Sequence, residues 1–204
     1  RLTGADLQQA LLDAVRDGGL QLLEWDGAAR QTRARAAFMR AIEGEVWPDW
    51  SDEALMAVLD SWLTPALDGV TRLREVDVAR ALLNALSYEQ RRRLDEAAPT
   101  RFETPAGSSL GIDYEAEGGP ALEVRLQELF GQDKHPAVAG GRIALTLRLL
   151  SPARRPVQTT KDLPGFWRGS YAAVRTEMRG RYPKHAWPDD PLTATPTARA
   201  RRPR

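Results

Sequence analysis

The 204-residue sequence contains no cysteine, and its two histidines, His135 and His185, are far apart. Without thiols the chain has neither disulfides nor thiolate metal sites, and two separated histidines give no metal-ligand spacing. No run approaches the roughly 18 consecutive apolar residues of a membrane helix. The N-terminus lacks an apolar signal region and an initiator methionine. We therefore expect a piece of a longer cytoplasmic protein, with a bacterial origin as the default.

The sequence also lacks the phosphate-binding loop G-x-x-x-x-G-K-[ST]. That loop needs a lysine beside its glycines to neutralise nucleotide phosphates, and none of the three lysines has this context. The acidic pairs Asp52-Glu53 and Asp95-Glu96 lie in amphipathic segments, without a preceding apolar strand that would direct them at Mg²⁺. No nucleophile elbow, G-x-S-x-G, occurs either. We therefore expect this chain to have no enzyme activity and no catalytic, cofactor-binding or metal-binding residues.

Charge is distributed unevenly, although the formal net charge is only +1. Residues 1–100 contain 12 basic and 17 acidic side chains, whereas residues 101–204 contain 17 basic and 11 acidic side chains. The window 142–192 alone has 10 basic and 4 acidic residues. This gradient favours a basic surface for a polyanion. Composition bias is the alternative, because 26 of the 29 cations are arginine.

The first hundred residues are predicted to be helical. Apolar residues at i, i+3 and i+4 predict five helices, which begin after Thr3, Asp26 and Ser51 and then cover about Glu75–Leu86 and Tyr88–Ala98. The side chains of Ser, Thr and Asp at the first three starts can cap those helices. Gly18-Gly19 is predicted to end the first helix.

After Pro99 the pattern changes to the alternation and turn residues that are typical of strands. Strands are predicted at Leu110–Tyr114, Arg142–Leu150 and Val157–Thr160, with a short helix at Leu122–Phe130 and a last helix at Leu163–Arg179. The prediction is an α+β fold, with residues 1–99 as a helical domain. Residues 100–192 form a small antiparallel sheet followed by a C-terminal helix, and residues 193–204 form a disordered basic tail.

Cations and aromatic residues are interleaved between Arg154 and Trp187. The candidate nucleic-acid-binding residues are Arg154, Arg155, Lys161, Arg168, Arg175, Arg179, Arg181, Lys184 and Trp187. Cations would neutralise phosphates, and exposed aromatic rings would stack on bases, at about 1–3 kcal/mol per base. The alternative is that Phe166, Trp167 and Tyr171 are core residues and that the arginines are the solvated side of the last helix. Both interpretations are open at the level of sequence.

Several motifs are distinctive enough to suggest a family. Residues 149–167 read LLSPARRPVQTTKDLPGFW, followed by GRYPKH at 180–185 and WP at 187–188. In the first half, WPD at 47–49 and DSWLTP at 60–65 belong to the same set. Across about residues 2–192 these motifs resemble the C-terminal, non-motor region of HrpB-type DExH-box ATP-dependent helicases. The arginine-rich tail after Leu192 departs from that pattern.

The resemblance implies a non-motor accessory region of a helicase that acts on RNA or DNA. In such a protein two RecA-like domains precede this region and hold every nucleotide-binding motif, so the ATP and Mg²⁺ of the parent hydrolase have no ligands here. Related DExH helicases place helical and OB-like domains over the nucleic-acid channel, so the sheet is expected by analogy to be OB-like. The implied partners are the motor domains in cis and single-stranded nucleic acid, with no membrane.

A second hypothesis makes the chain a protein–protein interaction scaffold that packs on the motor or on a partner protein. It depends on the acidic helical half and on partial exposure of Trp47, Trp50 and Trp62.

Overall fold

The computed structural model describes residues 3–198 of the chain. The chain divides into two compact units, Arg1–Ala98 and Pro99–Arg204. Pro99 is also the residue at which the sequence pattern changes from helical periodicity to strand alternation.

The described part of the N-terminal unit has six α-helices. They are α1 Gly4–Gly18, α2 Gly27–Glu43, α3 Asp52–Ala57, α4 Leu59–Leu63, α5 Val78–Asn84 and α6 Tyr88–Ala97. The three predicted caps are confirmed, because Thr3, Asp26 and Ser51 accept backbone N–H groups of the first turn of α1, α2 and α3. Four 3₁₀ turns connect the helices, at Leu20–Leu22, Gly44–Val46, Thr64–Leu67 and Leu73–Glu75.

The third predicted helix is divided into α3 and α4. The indole Nε1–H of Trp62 donates to the carbonyl of Leu55 at 3.1 Å, which is the carbonyl that the N–H of Leu59 would use in a continuous helix. The backbone leaves helical geometry at Val58, with φ −117° and ψ 25°. The side chain of Trp62 therefore accounts for the break between α3 and α4.

The core of the N-terminal unit lies against α2. Ala29, Ala36 and Met39 on this helix are fully buried. Arg35 on the same helix is also buried, at 3% exposure. Its guanidinium donates to the carbonyls of Leu94 and Ala98 and to Asp95. Arg35 thus donates to two carbonyls at the end of α6, of which that of Leu94 also accepts the N–H of Ala98 at 2.9 Å.

The C-terminal unit combines short strands with two helices. The strands are β1 Arg101–Glu103, β2 Ser109–Gly111, β3 Ala121–Arg125, β4 Ala137–Val138, β5 Ile143–Ala144, β6 Thr146–Leu150 and β7 Pro156–Thr160, and the helices are α7 Leu163–Arg168 and α8 Tyr171–Arg181. β6 lies between β3 and β7, parallel to the first and antiparallel to the second. The antiparallel pairs β1–β2 and β4–β5 form separate sheets. The α+β class is confirmed, but the sheet around β6 is mixed.

Two predicted elements of this unit are wrong. Leu122–Phe130 is not a helix: it contains β3 and then a 3₁₀ turn, Leu126–Leu129. Leu122 and Val124 are buried while Glu123 between them is exposed, because β6 pairs with this segment. The single last helix is two helices, since the chain bends at Gly169, with φ −105° and ψ −94°, between α7 and α8.

The OB-like expectation is not met by the pairing of the described strands. An OB fold is a five-stranded Greek-key barrel, whereas these strands form three small sheets. An isolated antiparallel bridge between Asp113 and Ala121 joins the segment after β2 to β3. OB-like architecture stays an expectation of the analogy alone.

The tail prediction is wrong for residues 193–198. Gly131 N–H donates to the carbonyl of Pro191 at 2.9 Å, and Thr197 N–H donates to the carbonyl of Gln127 at 3.0 Å. Arg125 Nη1 donates to the carbonyl of Ala198 at 2.7 Å. These bonds hold residues 191–198, here named the C-terminal strap, along the 3₁₀ turn after β3. Residues 199–204 of the predicted tail lie outside the described residues.

Aromatic side chains form the core between α7, α8 and the turn after β3. Phe130, Phe166, Trp167 and Tyr171 make ring contacts with centroids 5.2–6.3 Å apart. All four are buried, so the core interpretation of Phe166, Trp167 and Tyr171 is confirmed. Within the described residues, no helix has both the length and the apolar character needed to cross a membrane.

Candidate nucleic-acid interface

The tip of the β6–β7 hairpin presents two exposed arginines, Arg154 and Arg155. Ser151 organises the turn: its N–H donates to the carbonyl of Arg155 at 2.8 Å, and its Oγ accepts the N–H of Arg155 at 3.1 Å. Arg154 has φ +59°, the left-handed region that favours glycine. The turn therefore places two adjacent cations in solvent on a hydrogen-bonded loop.

A side-chain contact joins this hairpin tip to the end of α8. The hydroxyl of Tyr182, the residue that follows α8, lies 3.3 Å from Ser151 Oγ. Cations lie within a few residues of both partners in this contact. We name them the basic cluster, whose members are Arg154, Arg155, Arg179, Arg181 and Lys184.

Most cations of the basic cluster lack a carboxylate partner. Between residues 3 and 198 the structure gives an ion pair only to Arg181, whose Nη2 lies 3.2 Å from Glu177 Oε1 one helical turn away. Both groups of that pair are more than half exposed, and exposed pairs of this spacing contribute only about 0.3–0.5 kcal/mol. All five cluster cations are exposed. The cluster therefore keeps a positive potential in water.

The C-terminal end of a helix carries a partial negative charge that repels phosphates. At the end of α8 that charge is offset. Tyr182 N–H donates to the carbonyl of Met178 at 2.7 Å. The carbonyl of Tyr182 accepts both the N–H of His185, at 3.1 Å, and the indole Nε1–H of Trp187, at 2.9 Å. Arg179 and Arg181 lie in the last turn, so two cations and the bonded carbonyls of Met178 and Tyr182 offset this negative charge.

The remaining candidate cations lie elsewhere. Arg175 pairs with Asp189, so its charge is largely neutralised. Arg168 precedes α8, whose 11 residues separate it from the cluster by about 16 Å at 1.5 Å per residue. Lys161 follows the far end of β7, and its Nζ donates to the carbonyl of Gly118 at 2.9 Å. Five of the eight predicted cations thus lie within four residues of Ser151 or Tyr182, the two partners of the contact between the hairpin and α8.

The predicted aromatic part of the interface is mostly internal. Trp187 is 9% exposed, so its ring has little face available for stacking on a base, contrary to the role the sequence suggested. Burial raises the pKa of Tyr171 to about 12, as expected for a core hydroxyl. Tyr182, which is half-buried, makes an edge contact with His185 at 6.2 Å between centroids. Burial, and then the nearby charge of Arg125, lowers the pKa of His185.

Sequence reasoning missed Ser151 and Tyr182, which position the cluster, and Arg125, which holds the strap. The SP dipeptide at 151–152 indicates a turn, but no local sequence pattern predicts that the Tyr182 hydroxyl contacts Ser151. Among residues 3–198, no group of three or more histidine, aspartate or glutamate side chains could hold a metal ion.

The tryptophans of the N-terminal unit do not form a partly exposed group. Trp47, Trp50 and Trp62 are buried, at 2%, 7% and 3% exposure, which corrects the basis of the scaffold hypothesis. The exposed large apolar residues of this unit include Val46, at 69%, and Tyr88, at 74%. Gln90 Nε2 donates to the carbonyl of Val46 at 2.8 Å, so the turn that carries Val46 lies against the beginning of α6.

This arrangement of helices, small mixed sheet and basic hairpin can be placed in a known family. The family model for the ATP-dependent helicase C-terminal region matches residues 62–191. The chain belongs to this family, and the resemblance seen in its sequence motifs is confirmed.

The relatives that match this chain are helicases of one type, HrpB. The ATP-dependent RNA helicase HrpB of Escherichia coli (strain K12) is 44% identical over 201 residues, which are 97% of this chain and 25% of that protein. A crystal structure of the E. coli DExH-box NTPase HrpB matches with a TM-score of 0.90 at 43% identity, over 98% of this chain and 25% of that one. A second, of the E. coli DEAH/RHA helicase HrpB, matches with a TM-score of 0.77 at 41% identity, over 91% and 24% of the two chains. The chain spans about a quarter of the length of these relatives.

Proposed function

We propose that this chain is an accessory region of an ATP-dependent helicase and that its basic cluster holds the phosphates of single-stranded nucleic acid beside the motor. One observation carries the proposal: exposed cations from two elements flank the Ser151–Tyr182 contact, and among these five described residues only Arg181 has a carboxylate partner. Phosphate neutralisation by such cations releases counterions and drives binding without sequence preference.

The parent protein supplies the rest of the activity in this proposal. The matched relative is named an RNA helicase, so RNA is the first strand to test. The motor domains in cis would bind ATP and Mg²⁺, and this chain would contribute no ligand to either. Its role is to hold the strand while the motor moves it, without enzyme activity of its own.

The test is fluorescence anisotropy of the 204-residue chain with a labelled single-stranded RNA, from about 50 to about 200 mM salt. We expect salt-dependent binding that the double substitution Arg154→Glu and Arg155→Glu weakens at least tenfold. For single strands, the loss of two phosphate contacts should reduce the slope of log K against log salt by about 1.4.

A matched control is available in the N-terminal unit. Arg74 and Arg80 are exposed arginines outside the cluster, so Arg74→Glu with Arg80→Glu makes the same change in net charge. The control should retain most of the wild-type affinity. Equal losses in both double variants, or no binding at about 50 mM salt, would overturn the proposal.

A second candidate function is docking on the motor domains through the N-terminal unit. Val46 and Tyr88 favour it, because large apolar side chains so exposed are typical of surfaces covered by another protein. Co-purification of the separate motor domains with this chain tests it. Val46→Asp with Tyr88→Asp should abolish capture, whereas Glu45→Gln with Glu89→Gln, at neighbouring exposed positions, should not. Capture that survives the Val46 and Tyr88 substitutions would exclude this surface.

A further inference from the structure

A cavity of about 500 Å³ lies beside the basic cluster. Three segments of the C-terminal unit line this open cavity: Arg179 at the end of α8, the loop at 183–188, and Ala194 and Thr195 of the C-terminal strap. Its volume is in the range of sites that bind small organic molecules, about 300–1,000 Å³. It is therefore large enough for one nucleotide.

The strap gives this cavity a fixed wall. Two backbone hydrogen bonds join the strap to the turn after β3. The carbonyl of Pro191 accepts the N–H of Gly131 at 2.9 Å, and the N–H of Thr197 donates to the carbonyl of Gln127 at 3.0 Å. Arg125 holds the strap again at Ala198. Ala194 and Thr195 lie between these attachment points, so their position does not depend on a bound ligand.

The opposite wall is apolar and also fixed. Pro183, Trp187 and Pro188 line it. The indole of Trp187 is held by its hydrogen bond to the carbonyl of Tyr182, and the carbonyl of Pro188 accepts the hydroxyl of Tyr171 at 2.8 Å. Rigid apolar walls suit the face of a nucleobase, which has the same apolar character whatever its sequence.

Charge at the rim of the cavity is positive. Arg179 and His185 line it, and among the lining residues that the structure describes there is no carboxylate. Arg179 has no ion-pair partner within the described part of the chain. Because burial and Arg125 lower the pKa of His185, its imidazole is neutral at pH 7 and offers a hydrogen bond to a phosphate or ribose oxygen.

We propose that this cavity binds one nucleotide of the strand, with the base against the strap and the rings of Pro183 and Pro188, and with the phosphate at Arg179. The inference rests on the proposed function, because the same strand would cross the basic cluster next to it. It adds a site for a base to a surface that otherwise binds only phosphates. A strand whose bases enter such a site is single-stranded at that point.

Ligand-detected saturation-transfer NMR on the 204-residue chain tests the site with three probes: adenosine 5′-monophosphate, adenosine and ribose 5-phosphate. We expect the monophosphate to bind at least fivefold more tightly than either of the others, because only it fills the cavity and reaches Arg179. Equal binding of ribose 5-phosphate would mean a phosphate site without a base pocket and would overturn the proposal. Absence of monophosphate binding would do the same.

A cavity-filling substitution separates this site from the basic cluster. Ala186 is exposed and lines the cavity, whereas Ala173 is exposed on α8 and does not. Ala186→Trp should abolish saturation transfer to the monophosphate, and Ala173→Trp should leave it unchanged. In RNA anisotropy, Ala186→Trp should weaken affinity without changing the salt slope, because no cation is lost.

Truncation tests the strap as a wall. A chain that ends at Leu192 lacks the strap's lining residues, while a chain that ends at Ala198 keeps them and loses only residues 199–204, of which four are arginines. We expect the monophosphate to bind the longer chain and not the shorter one. If RNA binds normally while Ala186→Trp has no effect on either probe, the pocket is excluded and the basic cluster stands. If RNA does not bind at all, the proposed function fails first.

Discussion

The hydroxyl of Tyr182 lies 3.3 Å from Ser151 Oγ, and this contact joins the tip of the β6–β7 hairpin to the end of α8. The two residues are 31 positions apart in the sequence. Their contact links two segments whose cations are separate groups in the sequence. In the proposed function its contribution is positional, because neither hydroxyl carries charge.

Tyr182→Phe removes this contact and keeps the ring. We expect the free energy of unfolding to fall by about 1 kcal/mol, the usual net value of one hydrogen bond. RNA affinity should fall about twofold to threefold, because the hairpin tip is no longer held beside α8. Urea denaturation and anisotropy measure the two effects. Tyr88→Phe is the control, since Tyr88 is 74% exposed; a larger effect there would contradict the assignment.

Arg35→Met tests the buried cation of the N-terminal unit. The substitution removes the donor to the carbonyl of Ala98 and one of the two donors to the carbonyl of Leu94, and we expect a loss of about 2 kcal/mol in the free energy of unfolding. Asp95 is 75% exposed on its side chain, so water compensates that carboxylate. The same change at Arg91, which is exposed, should alter stability by less than about 0.5 kcal/mol. Similar values for the two variants would refute the capping role.

His185 should make the protein less stable below neutral pH. Its pKa in the folded chain is below the ordinary 6.5, so the unfolded chain binds the proton more readily. The favourable contribution is complete above pH 6.5 and is lost as the pH falls toward the folded pKa. His185→Gln should flatten this part of the curve when unfolding is measured from pH 7.5 to pH 5. An unchanged slope relative to wild type would exclude the effect.

Asp189→Asn should strengthen RNA binding. Asp189 pairs with Arg175, and loss of its charge releases that arginine one to two helical turns from the cluster. We expect affinity to rise about twofold at low salt, with a steeper salt dependence. Asp133→Asn makes the same change in net charge at an exposed position without a described ion pair. If both variants bind equally, the gain reflects net charge and not Arg175.

Local features of the fold could be read from the sequence. Thr3, Asp26 and Ser51 start helices through bonds to residues three positions later, so their effect is contained in a short window. Leu122 and Val124 could not be assigned in this way. Their alternating burial depends on pairing with β6, more than twenty residues later, and LEVRLQEL fits a helix equally well.

The candidate site shows the same division. The cations were visible as a group, but which of them act together depends on contacts between distant residues. Arg175 does not belong to the cluster because it pairs with Asp189, and Trp187 does not because its side chain is buried. Residues 193–198 of the strap were predicted to be disordered because they include no large apolar residue, yet the partners of their hydrogen bonds lie about seventy residues earlier, at Gln127 and Arg125. Composition does not report such bonds.

The left-handed backbone of Arg154 makes stability and binding oppose each other at one position. A side chain at φ +59° costs about 1 kcal/mol relative to glycine. Arg154→Gly should therefore raise the melting temperature while it lowers the affinity of the protein for RNA. In the proposed function, arginine at position 154 therefore serves strand binding at the expense of stability. A variant with Arg154→Gly would resist heat better and bind a strand less tightly.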